Sequence, residues 1–270
     1  MTGRGSRQRG FALLVVLWTL AVLALLGSAV LATARQGTQL VGNLRAAAAL
    51  RAAAHGAVQQ AIFRLLDNSS KHWPADDIAH PIGIGAALVL VRIEDEKDKI
   101  NPNIASAALL RSLLVQVGAN PLTAATLAES IVAWRFGGGL PNRPNPTTAR
   151  YVAAGLAYAP SGAPFASLDE LGNVLGMTPA LLARLRPHLT VFTDDDPNAG
   201  TLDPVVARAM AISGETGSPA GPGRQQVVSI EADARGAEGA RFAESEVVRT
   251  NTRPEGRRYD VLDDEQSWRN

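Results

Sequence analysis

The 270-residue chain contains no cysteine. That excludes disulfides and thiolate chemistry but leaves the compartment open, because exported proteins need not use disulfides. Aromatic residues are scarce, at 5%. Alanine and glycine are abundant instead, which suits close-packed helices and frequent turns. An excess of charge is also missing. The formal net charge is +1, so there is no global basic field of the kind that draws nucleic acid. Four histidines, His55, His72, His80 and His188, show no H-E-x-x-H or other common metal spacing. No G-x-S-x-G elbow occurs, and Gly137–Gly139 is not followed by the Gly-Lys-Ser/Thr of a phosphate loop. No constellation for catalysis is present, and an enzyme is not expected.

What the chain does have is a long apolar opening. Phe11 to Ala34 is a run of 24 residues without charge. As a helix it would cover roughly 36 Å, enough for a bilayer core with some tilt. Arg4, Arg7 and Arg9 precede it with no acid among them, and after it only Arg35 appears before Arg45. The positive-inside tendency places residues 1–10 in the cytoplasm and the remainder across the membrane. Three readings compete. A cleavable signal peptide would use Ala32-Thr33-Ala34, but its apolar region spans only about 7–15 residues. A plain signal anchor fits the length. The third reading looks at the front edge, where a short basic leader ends in Gly10 and Phe11 starts the apolar run at once.

Helical spacing continues beyond the run. Leu40, Leu44, Ala47, Leu50, Ala54, Val58, Ile62 and Leu65 recur at three or four residues. Asp67-Asn68-Ser69-Ser70 and Trp73-Pro74 offer a stop. One helix from Phe11 to about Asp67 would measure about 85 Å; a break at Gly37 or Gly42 would instead give a membrane helix and a separate soluble one. Residues 69–85 read as a loop and Ala86–Ile93 as a strand. Residues 104–190 have helical spacing, interrupted by a loop over Phe136–Ala149. Ser167 with Glu170 matches a capping box opening another helix. Leu171 to Thr178 reads as a tight helix–helix turn, although its glycines resemble half of a nucleic-acid-binding hairpin. Thr201–Ile212 reads as a short helix, and Gln225–Ala232, Glu244–Thr250 and Arg258–Leu262 as strands. The expected fold class is α+β, a long N-terminal helix packed on an antiparallel sheet with a helical subdomain inserted between strands.

The leader junction Gly10–Phe11 resembles that of type IV pilins and pseudopilins. Within that group the order of motifs resembles the minor pseudopilin K (GspK) family of type II secretion systems. Asp98-Lys99-Ile100-Asn101-Pro102-Asn103 is similar to its D-x-x-G-K-I-N-x-N stretch. Ile131-Val132-Ala133-Trp134-Arg135 is similar to I-x-D-W-R. Ser167-Leu168-Asp169-Glu170-Leu171, Val174-Leu175-Gly176-Met177 and Leu185-Arg186-Pro187 follow its last run. Most pilin-like subunits carry Glu at the fifth mature position. Here it is Val15, and an apolar residue there is usual for this family. A carboxylate in hydrocarbon costs several kcal/mol unless paired, and a subunit with nothing above it has no use for one.

The resemblance implies a tip subunit that helps start and limit a short periplasmic filament. Gly10 and Phe11 would be the cleavage and methylation junction. Phe11, Leu14, Val15, Leu17 and Leu20 would anchor the precursor and later pack in the filament. Leu44, Leu50, Val58 and Ile62 would dock the helix on the head or meet partner helices. The partners implied are minor pseudopilins I and J, the prepilin peptidase, the inner-membrane secretion platform and the inner membrane itself, with no nucleic acid. The protein would be single-pass with a periplasmic head. The alternative is a signal-anchored periplasmic binding domain without a filament role. Some family members bind calcium after W-R, but Phe136-Gly137-Gly138-Gly139 and Thr148-Ala149-Arg150-Tyr151 offer almost no carboxylate. No cofactor is expected; for calcium Asp194–Asp196 is the remaining acidic candidate, and three adjacent acids more often form a solvated turn or helix cap. The resulting division is a leader at 1–10, the apolar half of the helix at 11–34 and its amphipathic half at 35–68. The sheet domain follows at 69–100 and 194–262, around the inserted helices at 101–193, with a polar tail at 263–270.

Overall fold

In a computed structural model, residues 6–136, 146–217, 225–236, 239–250 and 258–269 are described. Among these, the side chains of 6–10, 12, 27, 29–40, 146–147 and 268–269 fall outside the description. Helix α1 spans Ser6–Leu65 without interruption, passing through Gly37 and Gly42. It ends because Asp67 turns back on the chain. One carboxylate oxygen accepts the Ser69 N–H at 2.9 Å and the other the Ser69 hydroxyl at 2.8 Å. Those bonds compete with continued helix.

Five strands form one antiparallel sheet in sequence order: β1 His80–Ile84, β2 Ala87–Asp95, β3 Val227–Arg235, β4 Arg241–Thr250 and β5 Tyr259–Arg269. Two of these differ from the sequence reading. β1 lies in the expected loop 69–85. Its Pro81 and Gly83 mask it, yet an edge strand tolerates proline, and His80 is held by stacking on Trp73 at 4.2 Å. Gly85, with φ +60°, supplies the tight connection to β2. β5 continues through the expected polar tail. Asp263-Asp264-Glu265-Gln266 has no apolar alternation to mark a strand, and the pairing with β4 supplies the order.

The face of the sheet toward α1 is apolar at β1, β2 and β3. Ala53, Ala54, Ala57 and Ala61 let the helix lie close to Val89, Val91, Ile230 and Ala232, and all eight are buried. Between β2 and β3 comes the helical layer: α2 Ala107–Gln116, α3 Pro121–Phe136, α4 Pro146–Ala153, α5 Pro179–Leu185 and α6 Pro204–Ser213. It has its own core, with Leu109, Leu113, Leu127, Ile131, Trp134 and Leu171 at its centre. Val206, Ala209 and Met210 of α6 belong to that core, so the layer extends past residue 193 into the segment assigned to the sheet domain. α4 starts inside the expected loop 136–149, with Pro146 at its first turn, where the missing N–H is not needed. Residues 137–145 of that loop lie outside the described residues.

Ser167 and Glu170 do not form a capping box. Leu168–Asn173 is a 3₁₀ turn and the Ser167 side chain makes no cap bond. Only six residues separate Ser167 from Val174, and short segments adopt this tighter form. Elsewhere the caps are regular. Ser106 accepts from Leu109 N–H, Thr178 from Leu181 N–H, and Asp203 from Val205 and Val206 N–H.

Candidate functional site

The leading part of α1 is bare. Phe11, Leu14, Val15, Leu17 and Leu20 are exposed, Phe11 most of all at 73%. Contiguous apolar surface of this kind marks a site of association. Among the described residues no helix is long and apolar enough to cross a membrane. The charge-free run Phe11–Ala34 includes side chains outside the description. Gly10 lies within α1, one position before Phe11.

The trailing part of α1 is covered by the sheet. Leu50, Val58 and Ile62 are buried at 4%, 0% and 3%. Leu44 is not; it is 61% exposed. The sheet ends near Leu50, where a Cβ on Gly236 would meet Leu50 Cδ1 at 3.5 Å. Leu44 stands more than one turn beyond that limit, so its helical spacing continues past the surface able to cover it.

The segment from Glu94 to Asn103 joins the two layers. Lys99 Nζ, whose side chain is 13% exposed, bonds Glu96 at 2.7 Å, Glu94 at 3.0 Å and Ser229 Oγ at 3.2 Å. Burial alone would lower its pKa, but the two carboxylates outweigh that and raise it. Ile100 pairs with Leu189 in a single parallel bridge. Asn101 donates to the Thr193 carbonyl, and Asn103 exchanges two bonds with the Phe165 backbone. Arg135 donates to the carbonyls of Pro102 and Ala105. Trp134 stacks on Phe165 with ring centres 5.9 Å apart. The motifs read separately in the sequence thus converge on one knot at the root of the helical layer.

His188 and Asp203 fasten α6 to the same knot, with Nδ1 2.5 Å from Oδ2. Burial pushes the Asp203 carboxyl up, but the His188 contact and the two α6 N–H donors outweigh it and hold the pKa below the ordinary value. A depressed carboxylate contributes stability above its unfolded pKa, and the contribution fades as pH falls through the folded value. Asp203→Ala is expected to cost about 1–2 kcal/mol at pH 7. In urea unfolding, the gap between wild type and variant should narrow below about pH 4.

The sheet face opposite α1 is polar. Arg92, Glu94, Glu231 and Ser245 floor a cleft of about 760 Å³, walled by residues 166–169 and 186–192 of the helical layer. On the α1 face a second polar feature interrupts the apolar core. Glu244 and Glu246 on β4 are 1% and 4% exposed. His55 Nδ1 of α1 lies 2.8 Å from Glu244 Oε1, while Glu244 Oε2 has no hydrogen-bond partner among the described residues. The hydrogen bond to Glu244 raises the His55 pKa against the opposing effect of burial. Burial, Asp264 and Glu244 raise that of Glu246 against the lowering effect of His55. His55 and Glu244 are 189 positions apart, so no local spacing signals the pair. Asp194–Asp196 draws no metal cluster around it; among the described residues no three His, Asp or Glu side chains gather as a metal site.

Residues 87–194 match the family model described as Type II secretion system (T2SS), protein K. The whole fold is similar to a chain in the crystal structure of the GspK-GspI-GspJ complex from enterotoxigenic Escherichia coli Type 2 Secretion System. The TM-score is 0.54 at 15% identity, covering 86% of this chain and 98% of that one. No curated protein matches the chain.

Proposed function

We propose that this chain is a minor pseudopilin of the type II secretion protein K kind at the tip of a periplasmic pseudopilus, where it helps initiate and limit filament assembly. The observation that carries the reading is α1 itself. One helix has apolar side chains exposed from Phe11 to Leu26, among those described, and a trailing part sunk in a two-layered head. The leading half, Phe11–Ala34, first holds the precursor in the inner membrane as a single span, with the head in the periplasm. The prepilin peptidase then cuts after Gly10 and methylates Phe11. Val15 leaves no carboxylate to meet the amine of a subunit above. The helical layer, inserted between β2 and β3, adds bulk that blocks further stacking. The partners are the I-type and J-type minor pseudopilins and the inner-membrane platform. The solved complex, one chain of which has a similar fold, contains GspI and GspJ beside GspK.

The test is the N-terminal mass of the membrane-extracted protein from cells carrying the matching prepilin peptidase. A methylated Phe11 start is expected. Gly10→Val should leave residues 1–10 attached and abolish secretion. A mature chain and intact secretion in that variant would defeat the filament role. A start at Arg35 would point to an ordinary signal peptide, and retention of residues 1–10 in the wild type to a signal-anchored binding domain.

A further inference from the structure

We propose that the edge of the β4–β5 hairpin beside α1 is a seat for a helix of a neighbouring filament subunit, which places a Lys or Arg against the exposed Asp264, at the rim of the buried Glu244 and Glu246. The partner's identity rests on the pseudopilin reading above; the seat itself rests on charge and shape. Glu246 and Asp264 are direct cross-strand partners, so two carboxylates face each other where like charges destabilise. Glu244 lies two residues away on the same face, with one oxygen buried and unpartnered among the described residues. Against these three acids α1 presents one imidazole, His55. Arg51, a turn earlier, is engaged over the Phe242 ring at 5.4 Å. Gln59 bonds the Tyr259 hydroxyl, and Gln266 is the cross-strand partner of Glu244. Buried carboxylates without a cation are costly; a basic side chain from outside would remove that cost.

Beside the acids the surface is shaped for a helix. A groove of about 910 Å³ runs between α1 and the start of β5. On the α1 side it is lined by Gln59, Ile62 and Phe63, with Leu66 just past the helix end; Ile62 is held in the core, and Phe63 is the apolar side chain left to meet a partner. The opposite wall is Tyr259 and Val261. Phe63 is 67% exposed and Val261 50%. His55 and Phe63 are eight residues apart, about 12 Å along α1. The occupant is therefore an amphipathic helix with a large apolar side chain about two turns from a basic one.

The experiment uses the full-length chain in detergent with the I-type and J-type pseudopilins of its own secretion system as probes. Glu246→Gln removes a charge that the fold disfavours, so the free variant should melt at or above the wild-type temperature. Its affinity for the partner should nonetheless fall about tenfold. Phe63→Ala should weaken binding similarly with melting unchanged, since the ring is exposed. The Glu246 carboxyl, followed by NMR, should titrate at lower pH in the complex than in the free chain. Normal binding by both variants with an unmoved titration would overturn the seat and leave the pseudopilin reading standing. Failure of the wild type to bind either probe would sink both. Self-association of the chain that is lost in the variants would overturn the choice of partner.

Discussion

Lys99→Met is expected to destabilise the protein by about 3–5 kcal/mol, read as a lower urea midpoint. Methionine keeps most of the side-chain volume, so little of this is lost packing. The loss comes from Glu96, 3% exposed, left ionised in the interior with its cation gone. Glu94 contributes less, since its side chain is 37% exposed and solvent screens it. The control is the double variant Lys99→Met/Glu96→Gln. Replacing both partners of a buried pair is far milder than removing one, so the double variant should recover at least half of the loss. A single variant as stable as wild type would show that the lysine is not the counter-ion the geometry makes it.

Trp134→Ala should cost about 3–5 kcal/mol, and the cost should fall on one layer. Trp134 sits in the helical core, stacked on Phe165 and tilted against Tyr151 at 6.1 Å. That core shares no residue with the core between α1 and the sheet. Amide exchange should therefore show α2, α3 and α6 losing protection while β2, β3 and β4 keep theirs. Trp134 Nε1 is buried without a partner among the described residues, so the ring is expected to hold the layer rather than its N–H. Trp134→Phe should then cost under about 1.5 kcal/mol. Equal loss of protection in both layers would show that they unfold as one unit.

The two cores differ in how plainly they could be read. The apolar period from Leu50 to Leu65 predicts the buried face of α1, because a long helix repeats its signal several times. It overruns at Leu44, since periodicity carries no information on where the covering sheet stops. The strands β2 and β3 are apolar on one face and were legible for that reason; β4, with Glu244 and Glu246 on its α1 face, was legible only over its second half. β1 and β5 are edge strands. One contains proline and glycine, and the other a run of acids, so neither has the alternation that marks a half-buried strand. Asn101, Asn103, Trp134 and Arg135 were recognisable only as members of a family pattern. Their reason for standing together, the carbonyls of Pro102, Ala105, Phe165 and Thr193, exists only in the folded chain. His55 and Glu244 had no signal at all.

Gln226 donates a side-chain hydrogen bond to Asp95 across 131 positions of sequence, at the point where the helical layer leaves the sheet and returns. β2 and β3 are nonetheless simple antiparallel neighbours. Joined by a four-residue turn they would close quickly; closing a flexible loop of this length costs about 3 kcal/mol more, at about 0.6 kcal/mol per doubling. Local contacts within α2, α3 and their neighbours can form without that closure. Once they do, the bridge between Ile100 and Leu189 holds the root of the layer beside the end of β2. The helical layer is in this sense a clamp for assembling the sheet, and the β2–β3 register is expected to form after the intervening helices. Slowing the layer, as in Trp134→Ala, should delay strand pairing far from the substituted residue.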